Sequence, residues 1–228
     1  MVRRTKHEAQ ATREHLLDTA EQEILARGLS RTSLQDIAEA AGLSRGAIYW
    51  HFADKVALFN AIMDRVDLPL EQALAHARDG LACGAGGAPD ADGAGPVAAA
   101  RPLAALRTLA LAPFELMQRD PRARRAFTIL LHRAEFVGEL APLAARQDDA
   151  IQGCQGQMAA LFAQAARQGL LAPGITPALA ATALLGLIDG LLRLCTLRVG
   201  GDEAGPLVAV APAVDALLAG LGAPAPAA

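Results

Sequence analysis

Residues 44–52 read Ser44-Arg45-Gly46-Ala47-Ile48-Tyr49-Trp50-His51-Phe52, and they hold the single Tyr and the single Trp of the chain side by side. Consecutive helical residues point roughly 100° apart, so neighbours spread around a helix and do not share one face. The rings from Tyr49 to Phe52 therefore cannot all enter one core. Some must face outward, on a surface that touches something. Just upstream, Gly42 ends a short segment in which Leu34, Ile37, Ala38 and Ala41 form one apolar face. Ser33 can cap that segment, with Asp36 in the capping-box position, and Ser44 can cap the next. Two short helices joined by a tight glycine-containing turn make a helix-turn-helix. A preceding helix is expected from Ala9 to Arg27, with Leu17, Ala20 and Ile24 at spacings of three and four and Gly28 as its stop. Leu43, Ile48 and Phe52 close a small three-helix core.

Composition agrees with an all-α fold. The 228 residues are 53% hydrophobic but only 4% aromatic, Ala and Leu carry the apolar load, and β-branched runs are scarce. The net charge of −3 gives no general bias toward nucleic acid, but Arg3, Arg4, Lys6 and Arg13 face only Glu8 at the start of the chain. Such a basic arm suits phosphates, although a solvated tail is the ordinary alternative. Cys83, Cys154 and Cys195 are an odd number without metal-ligand spacing, as in a reducing cytosol, and no apolar signal segment follows the basic start. A cytoplasmic protein without cofactor or metal is expected. The stretch from Ile175 to Ile188 is too short and too interrupted to span a membrane.

About nine helices are expected. Asp54 can cap a fourth, with Leu58, Phe59, Ile62 and Val66 inward, bent at Pro69 and continuing to about Leu81. Residues 83–97, rich in Gly, Ala, Pro and Asp, read as a flexible loop, and 222–228 as a disordered tail. Five helical blocks lie between: Ala98–Arg119, Pro121–Phe136, Gly138–Gln168, Pro177–Arg198 with Thr176 as cap, and Leu207–Leu221. The expected domains are 1–55, which holds the helix-turn-helix, and 56–221, which holds the remaining helices.

A helix-turn-helix puts its second helix in the major groove while neighbouring residues hold phosphates. Ser44 offers a hydroxyl at a helix N-terminus, and Arg45 can fork onto a base edge or a phosphate. Gly46 lets the backbone approach closely, and Tyr49 can bond a phosphate or press on a thymine methyl. His51 and Lys55 sit where the chain leaves the groove. Ser33 and Arg4 are further candidates, and Trp50 is expected beside the phosphate backbone. Alone, Arg45 or Lys55 is an ordinary surface charge; the combination carries the specificity.

Residues 12–60 closely resemble the DNA-binding domain of the TetR family. The run from Gly42 to Phe52 followed by Asp54-Lys55, and the start Val2-Arg3-Arg4-Thr5-Lys6, resemble its AcrR-type branch, the repressors of multidrug efflux pumps. His132-Arg133-Ala134-Glu135-Phe136-Val137-Gly138-Glu139 is similar to a segment of the effector domain of that branch, and Ile188-Asp189-Gly190-Leu191 is a weaker match. The resemblance implies a ligand-responsive repressor, operator duplex DNA and a lipophilic effector as partners, and a homodimer. It also implies pocket residues Leu106, Leu109, Ala110, Pro113, Phe127, Leu131, Cys154, Met158 and Asp189, with Asp67 a further candidate. Phe127 departs from the smaller polar residue common there. Asp189 stands out in any case, because a carboxylate within an apolar segment needs a partner or a ligand.

Leu184, Leu187, Ile188, Leu191 and Leu192 leave little polar face on one late helix, and Val210, Val214, Leu217, Leu218 and Leu221 stripe the last. Helices so apolar need burial on more than one side, and they are expected to pair with their copies in a four-helix dimer interface. Three rivals stand beside this reading. His132 and Glu135, three apart on a helix, could serve an enzyme, but nucleophile motifs, phosphate loops and paired-His metal sites are missing. A thiol redox sensor and a same-fold regulator of a metabolic or stress operon are the others.

Overall fold

The computed structural model describes residues 6–66, 101–197 and 209–222, and these are helical throughout apart from turns and one isolated bridge, Leu171 to Gly222. Helices α1 (Lys6–Arg27), α2 (Leu34–Ala40), α3 (Arg45–His51) and α4 (55–66) come first. Helices α5 (Arg101–Arg119), α6 (Pro121–His132), α7 (Pro142–Arg167), α8 (Pro177–Leu197) and α9 (Val210–Leu221) follow, with a 3-10 turn at Gly138–Leu140. Arg4, Asp67, the bend at Pro69, Cys83, the loop 83–97 and the tail beyond Gly222 lie outside the described residues.

The described residues fall into two compact units. The first comprises 6–66 with 117–147. In it α1 packs on α2 and on α6, and α2 packs on α3. Leu16, Leu17, Ala20 and Ile24 form the fully buried stripe of α1, and Ile37, Ile48, Leu58 and Ile62 meet it from the short helices and α4. Each leucine or isoleucine among them taken from water is worth about 1.5–3 kcal/mol. Helix α1 starts three residues earlier than expected, at Lys6. Glu8 sits in its first turn, Thr12 Oγ1 bonds back to the Glu8 carbonyl at 2.9 Å, and Gln10 reaches Glu14 at 2.9 Å. It stops at Gly28, whose φ of +89° suits glycine.

An ion cluster ties this unit together across elements that the sequence assigned to different domains. Glu14, Asp18 and Glu21 of α1 face Arg65 of α4 and Arg122 and Arg125 of α6. Glu21 is 0% exposed, with Arg65 Nη1 at 2.5 Å and Arg125 Nε at 2.7 Å. Asp18 takes Arg65 at 2.9 Å and Arg122 at 3.1 Å, and Glu14 takes Arg65 Nη2 at 2.6 Å. Burial pushes the Glu21 carboxyl above its ordinary range even against the two guanidiniums. The unit thus extends past position 55 to include α4 and α6.

Helix α6 begins as expected, with Pro121 in its first turn and Asp120 accepting from Arg122 N at 2.8 Å. It ends at His132, not Phe136, because the Arg133 carbonyl turns to accept from Leu29 N at 2.9 Å. Gly138, at φ +59°, reverses the chain into the 3-10 turn before Pro142 opens α7.

The second unit comprises 101–116, 148–197 and 209–222. Helices α8 and α9 pack against each other. Arg107 of α5 makes a two-pronged pair with Asp215 of α9 at 2.6 and 3.0 Å, and Gln155 of α7 donates to Thr182 of α8 at 2.9 Å. Thr176 caps α8 through Leu179 N at 3.2 Å.

Candidate nucleic-acid interface

The orientation of α3 follows from two anchors. Ile48 is fully buried and Phe52 nearly so, which turns the rest of the helix to solvent. Ser44 caps it, its hydroxyl accepting from Ala47 N at 3.3 Å. Arg45, Gly46, Tyr49 and Trp50 are exposed, Trp50 at 73%. The Arg45 guanidinium lies 5.4 Å from the centre of the Tyr49 ring, one turn on, a cation–π contact that keeps both on the same outer face. Half-buried His51 meets Trp50 edge to face at 4.5 Å. A Cβ added at Gly46 would meet nothing nearer than Ser44 Oγ at 4.0 Å, and the φ of Gly46 is not positive. Nothing in this chain's packing requires glycine there.

Ser33, Tyr49 and Lys55 come together in one cleft of about 400 Å³, along with Ser30, Arg31, Thr32 and Glu139. Ser33 carries out the capping expected of it: its hydroxyl donates to Asp36 Oδ2 at 2.7 Å and accepts from Asp36 N at 3.1 Å. Hydrogen bonds from the Ser33 backbone and hydroxyl hold the Asp36 carboxyl below its ordinary range. Lys55 differs from the open phosphate contact expected. Its side chain is 11% exposed, and its ammonium lies 3.0 Å from Glu139 and 3.3 Å from the Ser30 carbonyl. Arg13 places its guanidinium 5.4 Å from the centre of the Phe52 ring.

Of the effector candidates, Leu106, Ala110 and Met158 are fully buried, Leu109 and Pro113 buried and Cys154 half-buried in the second unit. Buried Phe127 and half-buried Leu131 belong to the first unit. Asp189 departs from expectation. It is exposed and takes its partner from its own helix, Arg193 Nε at 2.9 Å, so the requirement for a ligand falls away. Sequence reasoning missed Gln157 of α7, whose Oε1 is buried with no hydrogen-bond donor among the described residues. An amide one turn from Cys154 and next to Met158 was the available signal.

The dimer candidates need correction. Leu184, Val210, Val214, Leu218 and Leu221 are buried inside their own chain, so they cannot form the surface offered to a copy. The sequence stripe on α9 is the face that α9 turns to its own unit. Leu187, Leu191 and Leu217 are half-buried. What α8 leaves uncovered is a different stripe, in which Leu179, Leu194 and Leu197 are exposed. Helix α8 is long and apolar enough by length and composition to cross a membrane, and only 28% of its most apolar stretch is buried within the chain. The helix runs Pro177–Leu197, as its expected bounds Pro177–Arg198 had it; only the apolar stretch was cut short, at Ile188 before Asp189.

Arg31 and Glu139 were also missed at the cleft of Ser33, Tyr49 and Lys55. A basic residue in the turn before Ser33 was a usable signal for Arg31. Glu139 had none, because its neighbourhood is set by a contact across more than eighty positions.

Comparison with known proteins agrees with this geometry. Residues 16–62 match the model for bacterial regulatory proteins of the tetR family, and residues 101–198 match the C-terminal region of MAATS-type transcriptional repressors. The chain is 36% identical over 193 residues to the HTH-type transcriptional regulator TtgR of Pseudomonas putida, covering 85% of this chain and 84% of the relative. Among solved structures it resembles NalD, the secondary repressor of the MexAB-OprM multidrug efflux pump in Pseudomonas aeruginosa, with TM-score 0.73, 33% identity and coverage of 95% and 98%. It also resembles the triclosan complex of SmeT, repressor of the Stenotrophomonas maltophilia pump SmeDEF, with TM-score 0.66, 27% identity and coverage of 92% and 91%. With the helix-turn-helix and the helical C-terminal region both matched, the chain belongs to the TetR family of bacterial transcriptional regulators.

Proposed function

We propose that this regulator is a repressor of a multidrug efflux operon, that it binds a palindromic operator as a homodimer in the cytoplasm, and that a lipophilic drug-like effector releases it. The observation that carries the DNA reading is the outer face of α3. Arg45, Gly46, Tyr49 and Trp50 face solvent together, and Gly46 has no packing reason to be glycine. Arg45 reads bases, while Ser44, Tyr49, Trp50 and His51 hold the backbone. NalD and SmeT, both repressors of multidrug pumps, support the regulated genes, and the triclosan bound to SmeT supports a lipophilic effector.

The effector takes the apolar residues of the second unit, Leu106, Leu109, Ala110, Pro113, Cys154 and Met158, with Gln157 as the acceptor for a ligand hydroxyl or amine. Binding favours a state in which α4 has moved, separating the two recognition helices. A coupling of about 1–3 kcal/mol weakens operator binding about 5- to 150-fold. The test is a footprint on the DNA upstream of its own gene, with and without triclosan. Protection that triclosan lifts is the expected result. No protection, or protection that a tightly bound effector leaves unchanged, overturns repression or coupling respectively.

A redox sensor is less well supported. Burial pushes the Cys154 thiol up, away from the reactive thiolate, and Cys195 is buried. Its relatives are transcriptional regulators, and no turnover of the effector is expected.

A further inference from the structure

The segment between α6 and α7 touches the helix-turn-helix neighbourhood at three points. The Arg133 carbonyl accepts from Leu29 N at 2.9 Å. The Phe136 ring packs edge to face on Phe59 with centres 5.7 Å apart. Glu139 Oε1 then reaches Lys55 Nζ at 3.0 Å. The first two contacts carry no charge and already fasten the segment, and Leu140 behind them is buried. The third is of another kind. Glu139 is two-thirds exposed, and an ion pair with its carboxylate that open to water adds little to stability. Its effect falls on Lys55, whose ammonium is cancelled by the chain's own carboxylate inside the cleft shared with Tyr49 and Ser33.

We propose that Glu139 is a positioning residue for DNA binding: it occupies Lys55 in place of a backbone phosphate and thereby lowers the affinity for duplex DNA. The inference rests on the DNA-binding reading of α3. A phosphate and the Glu139 carboxylate need the same ammonium and repel each other. When DNA binds, Lys55 must leave Glu139, which then takes up a cation from solution. The cation that the phosphate gives up is thereby offset. With glutamine at 139 nothing offsets it, and one more counterion is released. The same competition makes the segment from Arg133 to Leu140 a route by which movement of α6 or α7 changes duplex affinity, through one side chain and without moving α3.

The test measures binding of the full chain to a labelled mixed-sequence duplex long enough for two half-sites, by fluorescence anisotropy across about 50–200 mM salt. Glu139→Gln should bind roughly two- to fivefold more tightly, the worth of one exposed ion pair. Its plot of log affinity against log salt should be steeper by about one. Adding Lys55→Ala to Glu139→Gln should remove the extra slope, whereas Lys55→Ala alone should weaken binding with little change of slope. Thermal melting of each variant separates folding from binding. A Glu139→Gln protein that melts normally but keeps the parent's affinity and slope overturns the proposal. So does one that binds more weakly, which would make the pair a simple brace. If the parent chain binds no duplex at any salt, the DNA-binding reading itself fails, a result distinct from both.

Discussion

Gly46 separates what the fold needs from what the function needs. A methyl group there meets nothing within 4 Å except Ser44 Oγ at that limit, and the backbone is ordinary helix. Gly46→Ala should therefore leave the chain as stable or up to about 1 kcal/mol more stable, since alanine is the better helix former. Duplex binding should fall at the same time, because the added methyl stands between backbone and DNA. Urea denaturation and anisotropy on one preparation check both halves; undiminished binding would remove Gly46 from the interface. The roles of Ser33, Ser44, Ile48 and Phe52 were legible from the sequence because caps and anchors depend on neighbours within a few positions. Lys55 was legible only as a cation. Its attachment to Glu139 and Ser30 comes from folding distant segments together.

Between elements, the cluster on Glu21 decides which helices move as one. Three carboxylates of α1 meet one guanidinium of α4 and two of α6, and the central carboxylate is wholly buried. Removing Glu21 takes from Arg125 its hydrogen-bonded carboxylate and leaves Arg65 with Glu14 and Asp18 only, so three guanidiniums then face two carboxylates at a partly buried site. Glu21→Ala should cost about 3–5 kcal/mol in urea denaturation, well above the loss from cutting the exposed pair of Arg27 with Glu23. A loss under about 1 kcal/mol would show that Arg65 and Arg125 find other partners. A network that joins α1 to α4 also gives the proposed lever a rigid handle on the DNA-binding helices. Helix existence was readable from period and caps, and ends were readable where Gly28, Pro121 and Thr176 mark them. The end of α6 was not, because the pull on the Arg133 carbonyl comes from Leu29.

For the whole molecule, the uncovered stripe of α8 supports the proposed homodimer. Leu179, Leu194 and Leu197 stand exposed on a helix mostly unburied in its own chain, and large exposed apolar patches mark interfaces. Leu194→Glu should therefore turn a dimer into a monomer in sedimentation at micromolar concentration while leaving helicity intact. Val214→Glu should unfold the chain instead, because Val214 is fully buried within it. A Leu194→Glu protein that sediments like the parent would place the interface elsewhere. By itself the sequence determined the helical class, the helix-turn-helix and the outward group on α3, since period, caps and crowded rings act within one or two turns. Only the tertiary structure decided that Glu139 holds Lys55, that Glu21 joins three helices, that Asp189 pairs with Arg193, and which leucines stay exposed. Apolar periodicity marks a face as buried but does not say against what; the packing of α9 on α8 settled that the stripe of α9 is spent inside its own chain.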